Sequence, residues 1–455
     1  MKQTCAGMVL AAGQGTRMRS RFPKVLFPVL GRPLLDYPLR LLERLGCSRT
    51  VVVIGGGGEA IEKTFADRSV VWARQDPPRG TGDAVHVGLG ALGTWQGGPL
   101  LILNGDLPLL GEETLREMLE AHRRAQATMT LLSLKRRDPR GYGRVRRAAG
   151  GSVAAIIEEA DATGEEKRIE EVNGGVYLAE VEPLRRALAD WIAEHQRRGG
   201  GKEREIYFPP VIDSIVRRGG KVADWQLPAE REDELQQVND RVELATVSRL
   251  RRRSLLRSLQ LSGVTVVDPS TTYIEEDVSI GQDTVIHPFT VIEAGVRIGE
   301  RCQVGPFARL RIGTGMADES QIGNFTEVKN TSIGRGSKAK HLTYLGDGEV
   351  GAGVNIGAGT IFANYDGRQK WVTTIEDGSF VGSGTIFVAP VTMGKGSQTG
   401  AGAVVVSGRN IPPGATVVGV PGRELSTGPA APAGGGDVAE GGGDSPDQVA
   451  STERG

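Results

Sequence analysis

One of only five histidines in the chain stands in the run His341-Leu342-Thr343-Tyr344-Leu345-Gly346-Asp347. Near it in sequence lie other residues that handle protons and anions: Arg311, Lys329 in Glu327-Val328-Lys329-Asn330, and Asn364-Tyr365-Asp366-Gly367. A neutral imidazole is the natural general base near pH 7. A second set opens the chain, where Leu10-Ala11-Ala12-Gly13-Gln14-Gly15-Thr16-Arg17-Met18 is followed by Pro23-Lys24. A glycine-rich turn after a first strand lets backbone N–H groups approach phosphates closely. Two cations beside such a turn, Arg17 and Lys24, suit charge neutralisation in phosphoryl transfer. Each piece alone has a plain structural explanation. A tight turn accounts for G-x-G, a helix cap for Asp106, and a solvated corner for Arg311 or Lys329.

The elements that must position these residues fall into distinct stretches. Residues 1–241 read as α/β, with short aliphatic runs at 7–10, 50–54 and 100–103 as buried parallel strands and a helical pattern over 112–125. Their alternation predicts a doubly wound sheet with ligands at the strand C-terminal ends. Residues 242–262 form a connecting helix with Val247, Leu250, Leu255, Leu256 and Leu259 as its apolar side. The charge run Arg249, Arg251, Arg252 and Arg253 reads there as a solvated face. From 263 to 425 a six-residue period takes over, seen in Ile280, Ile286, Ile292, Ile298, Val304 and Leu310. That period fits neither helix nor ordinary strand and marks a parallel β-helix. It slips near Ile333, resumes through Ala339 and Leu345, and breaks after Phe362. A projecting loop is expected over 363–374 before order returns at Val381. The tail, 426–455, has almost no large apolar residue and is expected to be disordered.

Bulk properties exclude several classes. Fifty-five basic and 55 acidic residues balance to zero, so nothing points to nucleic acid as a partner. Cys5, Cys47 and Cys302 show no metal or C-x-x-C spacing, which favours a reduced, cytoplasmic setting. No stretch is long enough to span a bilayer.

The opening motif resembles L-x-x-G-x-G-T-R-M…P-K of the sugar-1-phosphate nucleotidylyltransferases, and further segments follow in register. Gln75 and Gly80-Thr81-Gly82 resemble that family's base-reading segment, in which a Gln amide offers a donor–acceptor pair to uracil. Asn104-Gly105-Asp106 and Asn239-Asp240-Arg241 resemble its Mg²⁺-binding segments, which implies Asp106 and Asn239 as metal ligands. Gly141-Tyr142-Gly143-Arg144, Glu158 and Asn173-Gly174-Gly175 resemble its sugar pocket. With the histidine segment included, the chain over roughly 5–420 resembles the family of bifunctional UDP-N-acetylglucosamine pyrophosphorylase/glucosamine-1-phosphate N-acetyltransferases.

That resemblance implies a Rossmann-like nucleotidyltransferase domain, then a left-handed β-helix in a homotrimer whose active sites draw on neighbouring chains. It implies acetyl transfer from acetyl-CoA to glucosamine-1-phosphate, then uridylyl transfer from UTP. Leu10, Ala11, Ala12, Gly13, Arg17, Lys24, Gln75, Gly80, Thr81, Asn104, Gly105, Asp106, Gly143, Glu158, Asn173 and Asn239 would hold nucleotide and sugar. His341 would be the base. Arg311, Lys329, Tyr344 and Asn355, with Lys370, would hold glucosamine-1-phosphate, and Ala358, Asn364, Tyr365, Ser383 and Ala401 would line acetyl-CoA. Asn104 departs from the family's Tyr, Ala160 from its Lys or other polar residue, and Gly419 from its Arg, with Arg423 close by. A single-activity nucleotidylyltransferase with a structural β-helix is the alternative; it would have no need of His341 or the Asn364-Tyr365 loop.

Overall fold

The computed structural model describes residues 5–197 and 205–425. The expected disordered tail, 426–455, lies outside the described residues.

The N-terminal half is a nine-stranded sheet flanked by helices. Its strands are β1 (Ala6–Ala11), β4 (Arg49–Ile54), β5 (Val71–Arg74), β6 (Leu100–Asn104), β7 (Met129–Lys135), β8 (Arg144–Arg147), β9 (Val153–Ile157), β10 (Glu171–Ala179) and β11 (Val222–Gln226). The hairpin β2 (Pro28–Val29) and β3 (Arg32–Pro33) stands apart from it. Along the main path the order is β11-β7-β10-β6-β1-β4-β5. Strands β6, β1, β4 and β5 run parallel, and the aliphatic runs of β1, β4 and β6 are buried on both faces, as parallel strands under two helical layers must be. Not every strand of the doubly wound sheet is parallel: β10 runs antiparallel to both β6 and β7, and β8 antiparallel to β10 and β9. The reversal of β10 carries Asn173 and Tyr177 beside the cleft at the end of β6. The helices are α1 (Asp36–Leu45), α2 (Gly58–Thr64), α3 (Thr81–Leu92), α4 (Glu112–Ala125), α5 (Val181–Arg197) and α6 (Val211–Arg217).

Helix α7 (Arg241–Leu261) leads out of this half. Asp240 caps it, accepting from the N–H groups of Val242 and Glu243. Val247 packs with Met18, Phe27, Leu30 and Tyr37, whereas Leu256 enters the β-helix core with Leu255 and Leu259 beside it. The arginine run is only partly solvated. Arg251 donates to the buried Glu276 at 2.5 Å and lies over the Tyr37 ring, and Arg252 lies over Tyr273. Arg249 and Arg253 are exposed.

From residue 265 short parallel strands stack into three faces. Face A holds strands such as Val285–Ile286, Gln303–Val304 and Gln321–Asn324; face B holds Val291–Ile292 and Arg309–Leu310; face C holds Arg297–Ile298 and Gly315–Met316. The six-residue ladder supplies one inward aliphatic per face, all in a single core. Successive coils are offset by 18 residues (Gln303↔Gln321), and the offset shortens to 17 at Gln321↔Lys338. The missing residue comes from the corner between faces B and C, where Glu327–Ile333 and Tyr344–Val350 run through as unbroken strands. Eight residues enter at the same corner one coil further on, so that Glu349 pairs with Thr374, 25 positions away. The slip and the break of the repeat are thus neighbours in space. The projecting loop is shorter than expected from sequence, because Thr373–Ile375 is already a strand. Among the described residues no helix is long and apolar enough to cross a membrane.

Candidate active sites

The first site is a cleft of about 490 Å³ at the C-terminal ends of β1 and β6. Leu10, Ala11, Ala12, Gly13, Lys24, Gln75, Gly80, Thr81, Asn104 and Asp106 line it, as do Gln14, Gly15, Thr16, Glu205 and Tyr207. Gly15 has φ +60°, and a Cβ there would stand 2.7 Å from Cβ of Lys24, so the turn carrying the lysine needs glycine twice over. Gly80, at φ +104°, is pressed against the carbonyl oxygen of Ile206 in the same way. The 205–208 segment closes that wall: Gly82 N–H donates to Ile206 O and Phe208 N–H to Thr81 Oγ1.

Gln75 is buried, and its Nε2 donates to Gly80 O at 2.9 Å and Asp83 Oδ2 at 2.8 Å. Both amide protons are thereby used within the protein. Only Oε1, an acceptor, is left, so the donor–acceptor pair expected from sequence is not free on this side chain.

Lys24 Nζ lies 2.6 Å from Asp106 Oδ2 and donates to Asn239 Oδ1 at 3.4 Å. Asn239 is fixed in turn by its backbone N–H, which donates to Glu243 Oε2 at 2.6 Å on the first turn of α7. One carboxylate and one amide oxygen from opposite ends of the domain thus converge on a single cation. Among the described residues no three His, Cys, Asp or Glu cluster as a metal cage. A sparse pair of oxygens of this kind fits Mg²⁺, which keeps several waters and takes substrate phosphates as ligands.

Of the other expected residues, Gly105 lies behind the cleft, its N–H donating to Leu10 O at 2.9 Å. Arg17 is exposed at its mouth. The sugar-side set forms a connected wall next to the cleft: Asn173 N–H donates to Gly143 O at 2.8 Å, Glu158 lies beside Gly143, and Asn173 Nδ2 donates to Tyr177 Oη at 2.5 Å. Burial, and then the neighbouring Asp161, push the Glu158 carboxyl above the ordinary carboxylate range.

The second set lies on the β-helix. His341 ends a face A strand at the corner leading to face B. Its Nδ1 is 2.8 Å from Oδ1 of Asn324, the residue beside it on the coil above. Ala358, Ser383 and Ala401 occupy the same corner on the three following coils, linked by Gly384 N–H to Ala358 O and Gly402 N–H to Ser383 O. On the preceding coils that corner carries Phe289, Phe307 and Phe325, and on the coil of His341 it carries Leu342. The phenyl rings stack at 4.8 and 5.2 Å, and all four side chains are about half exposed. Arg423 pairs with Val418, beside Gly419 on the coil after Ala401.

Across face B the cations gather at the opposite corner. Arg311 donates to Glu327 at 2.8 Å, and Lys370, with Arg311 nearby, holds the Lys329 ammonium below the ordinary lysine range. The Tyr344 ring folds over Gly346, which pairs with Lys329. Beneath them is a carboxylate absent from the expected set. Asp347 is buried at a positive φ of 51°, and accepts from Asn330 Nδ2 at 2.7 Å and from Asn364 Nδ2. Asn364 is itself buried, and its amide is spent on this clamp at the root of the loop. Tyr365, by contrast, is 61% exposed on the projecting loop. Asn355 lies on face A, one face away from Lys329, so a single chain does not bring these two together.

The fold and these two regions define a nucleotidyltransferase joined to a hexapeptide β-helix transferase. Residues 7–201 match the MobA-like NTP transferase domain, and 277–311 match the bacterial transferase hexapeptide (six repeats). The bifunctional protein GlmU of Mycolicibacterium paratuberculosis is 39% identical over 444 residues, covering 88% of each chain. GlmU of Syntrophotalea carbinolica is 40% identical over 434 residues, covering 88% of this chain and 91% of that one. GlmU of Mycobacterium tuberculosis is 39% identical over 445 residues, covering 88% and 87%. The chain belongs to the GlmU family of bifunctional proteins. It is a bifunctional enzyme, an N-acetyltransferase and a UDP-N-acetylglucosamine diphosphorylase in one polypeptide.

Proposed function

We propose that the two reactions divide between the cleft and the β-helix, with acetyl transfer to glucosamine-1-phosphate first and uridylyl transfer from UTP second. The carrying observation is that the expected residues gather into two separate groups, each with the chemistry of one step. In the cleft, the backbone amides of the Gly13–Thr16 turn face the triphosphate and Gln75 Oε1 accepts from the base. Lys24 and Arg17 balance the charge that builds as a phosphate oxygen of N-acetylglucosamine-1-phosphate attacks the α-phosphorus and pyrophosphate leaves. Asp106 and Asn239 would hold Mg²⁺, which supplies orientation and neutralisation of the phosphates. No protein nucleophile is required, because the attacking oxygen is already anionic.

On the β-helix, Arg311, Lys329 and Lys370 hold the sugar phosphate while Tyr344 packs beside the ring. His341 takes a proton from the amine as its nitrogen attacks the thioester carbonyl. The C–S bond then breaks, and the departing CoA thiolate is protonated. The N–H of Ala358, one coil below His341, would donate to the tetrahedral oxyanion. The separation of Asn355 from Lys329 supports a site shared between copies of the chain, and the half-exposed Phe289–Phe307–Phe325–Leu342 ladder is an apolar seam for such a copy. We read the assembly as a homotrimer and its setting as cytoplasmic.

The test follows free CoA and pyrophosphate separately with glucosamine-1-phosphate, acetyl-CoA, UTP and Mg²⁺. His341→Ala should lower CoA release by roughly 10²–10⁴-fold and leave pyrophosphate formation from pre-acetylated sugar intact. Asp106→Asn should do the reverse. Loss of both products in either variant would mean that the altered residue is structural.

A further inference from the structure

The strand carrying His341 pairs in register with the strand above it, which sets Asn324 directly beside it. Nδ1 of the imidazole and Oδ1 of the amide are 2.8 Å apart. An amide oxygen has only lone pairs, so Nδ1 must carry the hydrogen. A neutral ring has one N–H; fixing it at Nδ1 leaves the lone pair at Nε2. We propose that Asn324 is the positioning residue of the acetyl-transfer step, holding His341 in the tautomer and ring orientation in which Nε2 is the base. The proposal rests on the assignment of His341 as that base.

Three observations support it. Asn324 is half-buried between coils, so its own side chain is braced. The 17-residue offset created by the shortened corner is what brings Asn324 and His341 into register; at the 18-residue offset of the earlier coils, Asn324 would face Leu342. The stacked neighbours of the ring also offer it no charged partner in place of this bond. The segments stacked directly above and below, residues 321–326 and 355–360, carry no ionisable side chain, and Lys338 and Lys340 are the only charged residues on the strand itself. In the step, the amine proton passes to Nε2 as the N–C bond forms. Asn324 Oδ1 meanwhile holds the Nδ1–H, which both the neutral and the protonated ring retain. The proton at Nε2 then goes to the CoA sulfur when the C–S bond breaks.

The test compares Asn324→Leu, Asn324→Asp and the unaltered full-length enzyme in CoA release across pH. A β-helix thermal transition at the Tm of the unaltered enzyme shows that each variant is folded. The leucine removes the acceptor, so kcat should fall on the order of tenfold, part of the roughly 10²–10⁴-fold that a positioned base supplies, with KM for the sugar phosphate little changed. The aspartate keeps the acceptor and adds a negative charge, which favours the imidazolium. Its kcat should recover at high pH, and the acid limb of its profile should lie at higher pH than in the unaltered enzyme. If both variants keep the unaltered kcat and acid limb, Asn324 does not position the base. If Asn324→Leu loses activity and Asn324→Asp neither recovers it nor moves the limb, the role is steric packing and the proposal falls. If His341→Ala keeps full CoA release, the underlying assignment of the base fails instead, whatever the Asn324 variants do.

Discussion

Lys370 reaches back from the loop to press a second ammonium against Lys329, with the Arg311 guanidinium close by. Like charges are not crowded together without a use for them, and three cations around one tyrosine fit a doubly charged sugar phosphate. The sign of the pH effect follows. A lysine held below its ordinary range loses its proton earlier as pH rises, so phosphate binding in the free enzyme weakens sooner on the alkaline side. Replacing Lys370 with Gln removes the neighbouring charge. The alkaline limb of kcat/KM for glucosamine-1-phosphate should then move to higher pH while KM at neutral pH rises; an unmoved limb would separate Lys370 from the site. The residue types were legible in sequence, because Arg311, Lys329, Tyr344 and His341 sit in compact motifs. Asn324, Asn330 and Asp347 were not singled out, since an amide or carboxylate 17 positions from its partner has no local signature.

Among the elements, α7 carries the most information per residue. Its start fixes Asn239 beside Lys24, and its end buries Leu256 against the first β-helix coil. Sequence periodicity identified this helix and its apolar side, but not that the apolar residues serve two different cores. Leu256 is 2% exposed, so Leu256→Ala should cost about 2–5 kcal/mol of stability. Thermal unfolding should report it as a lower Tm for the β-helix transition. An unchanged Tm would mean that α7 is only tethered to the coils. Arg251 and Arg252 show why the charge run is not wholly the solvated face that the sequence predicts. A helix wheel places them outward, and only the arrival of Glu276 and Tyr273 from the β-helix turns them into contacts between the halves.

At the scale of the molecule, one chain gathers the residues that line the cleft but sets Asn355 on a different face of the β-helix from Lys329. The two activities should therefore respond differently to disassembly. Phe307 stands in the middle of the stacked ladder, and Phe307→Asp puts a charge where a second copy would have to desolvate it. Light scattering after size exclusion should show a smaller species, with CoA release lost and pyrophosphate formation retained. If that variant keeps the size and CoA release of the unaltered enzyme, the ladder is not the seam.

The sequence by itself determined the architecture. A six-residue aliphatic period can be buried only by three-faced coils, and a glycine-rich turn with flanking cations can serve phosphate wherever it sits. Those are properties of local backbone geometry and burial, which the order of residues encodes directly. The tertiary structure decided which atoms meet. It joined Asp106 and Asn239 through Lys24, used up both amide protons of Gln75, and drew Asn364 inward to Asp347. It also set Asn324 against His341, because one residue lost at a corner shifts the pairing of the next coil by one position. Such contacts depend on the stacking register summed over whole coils, a quantity no single motif contains.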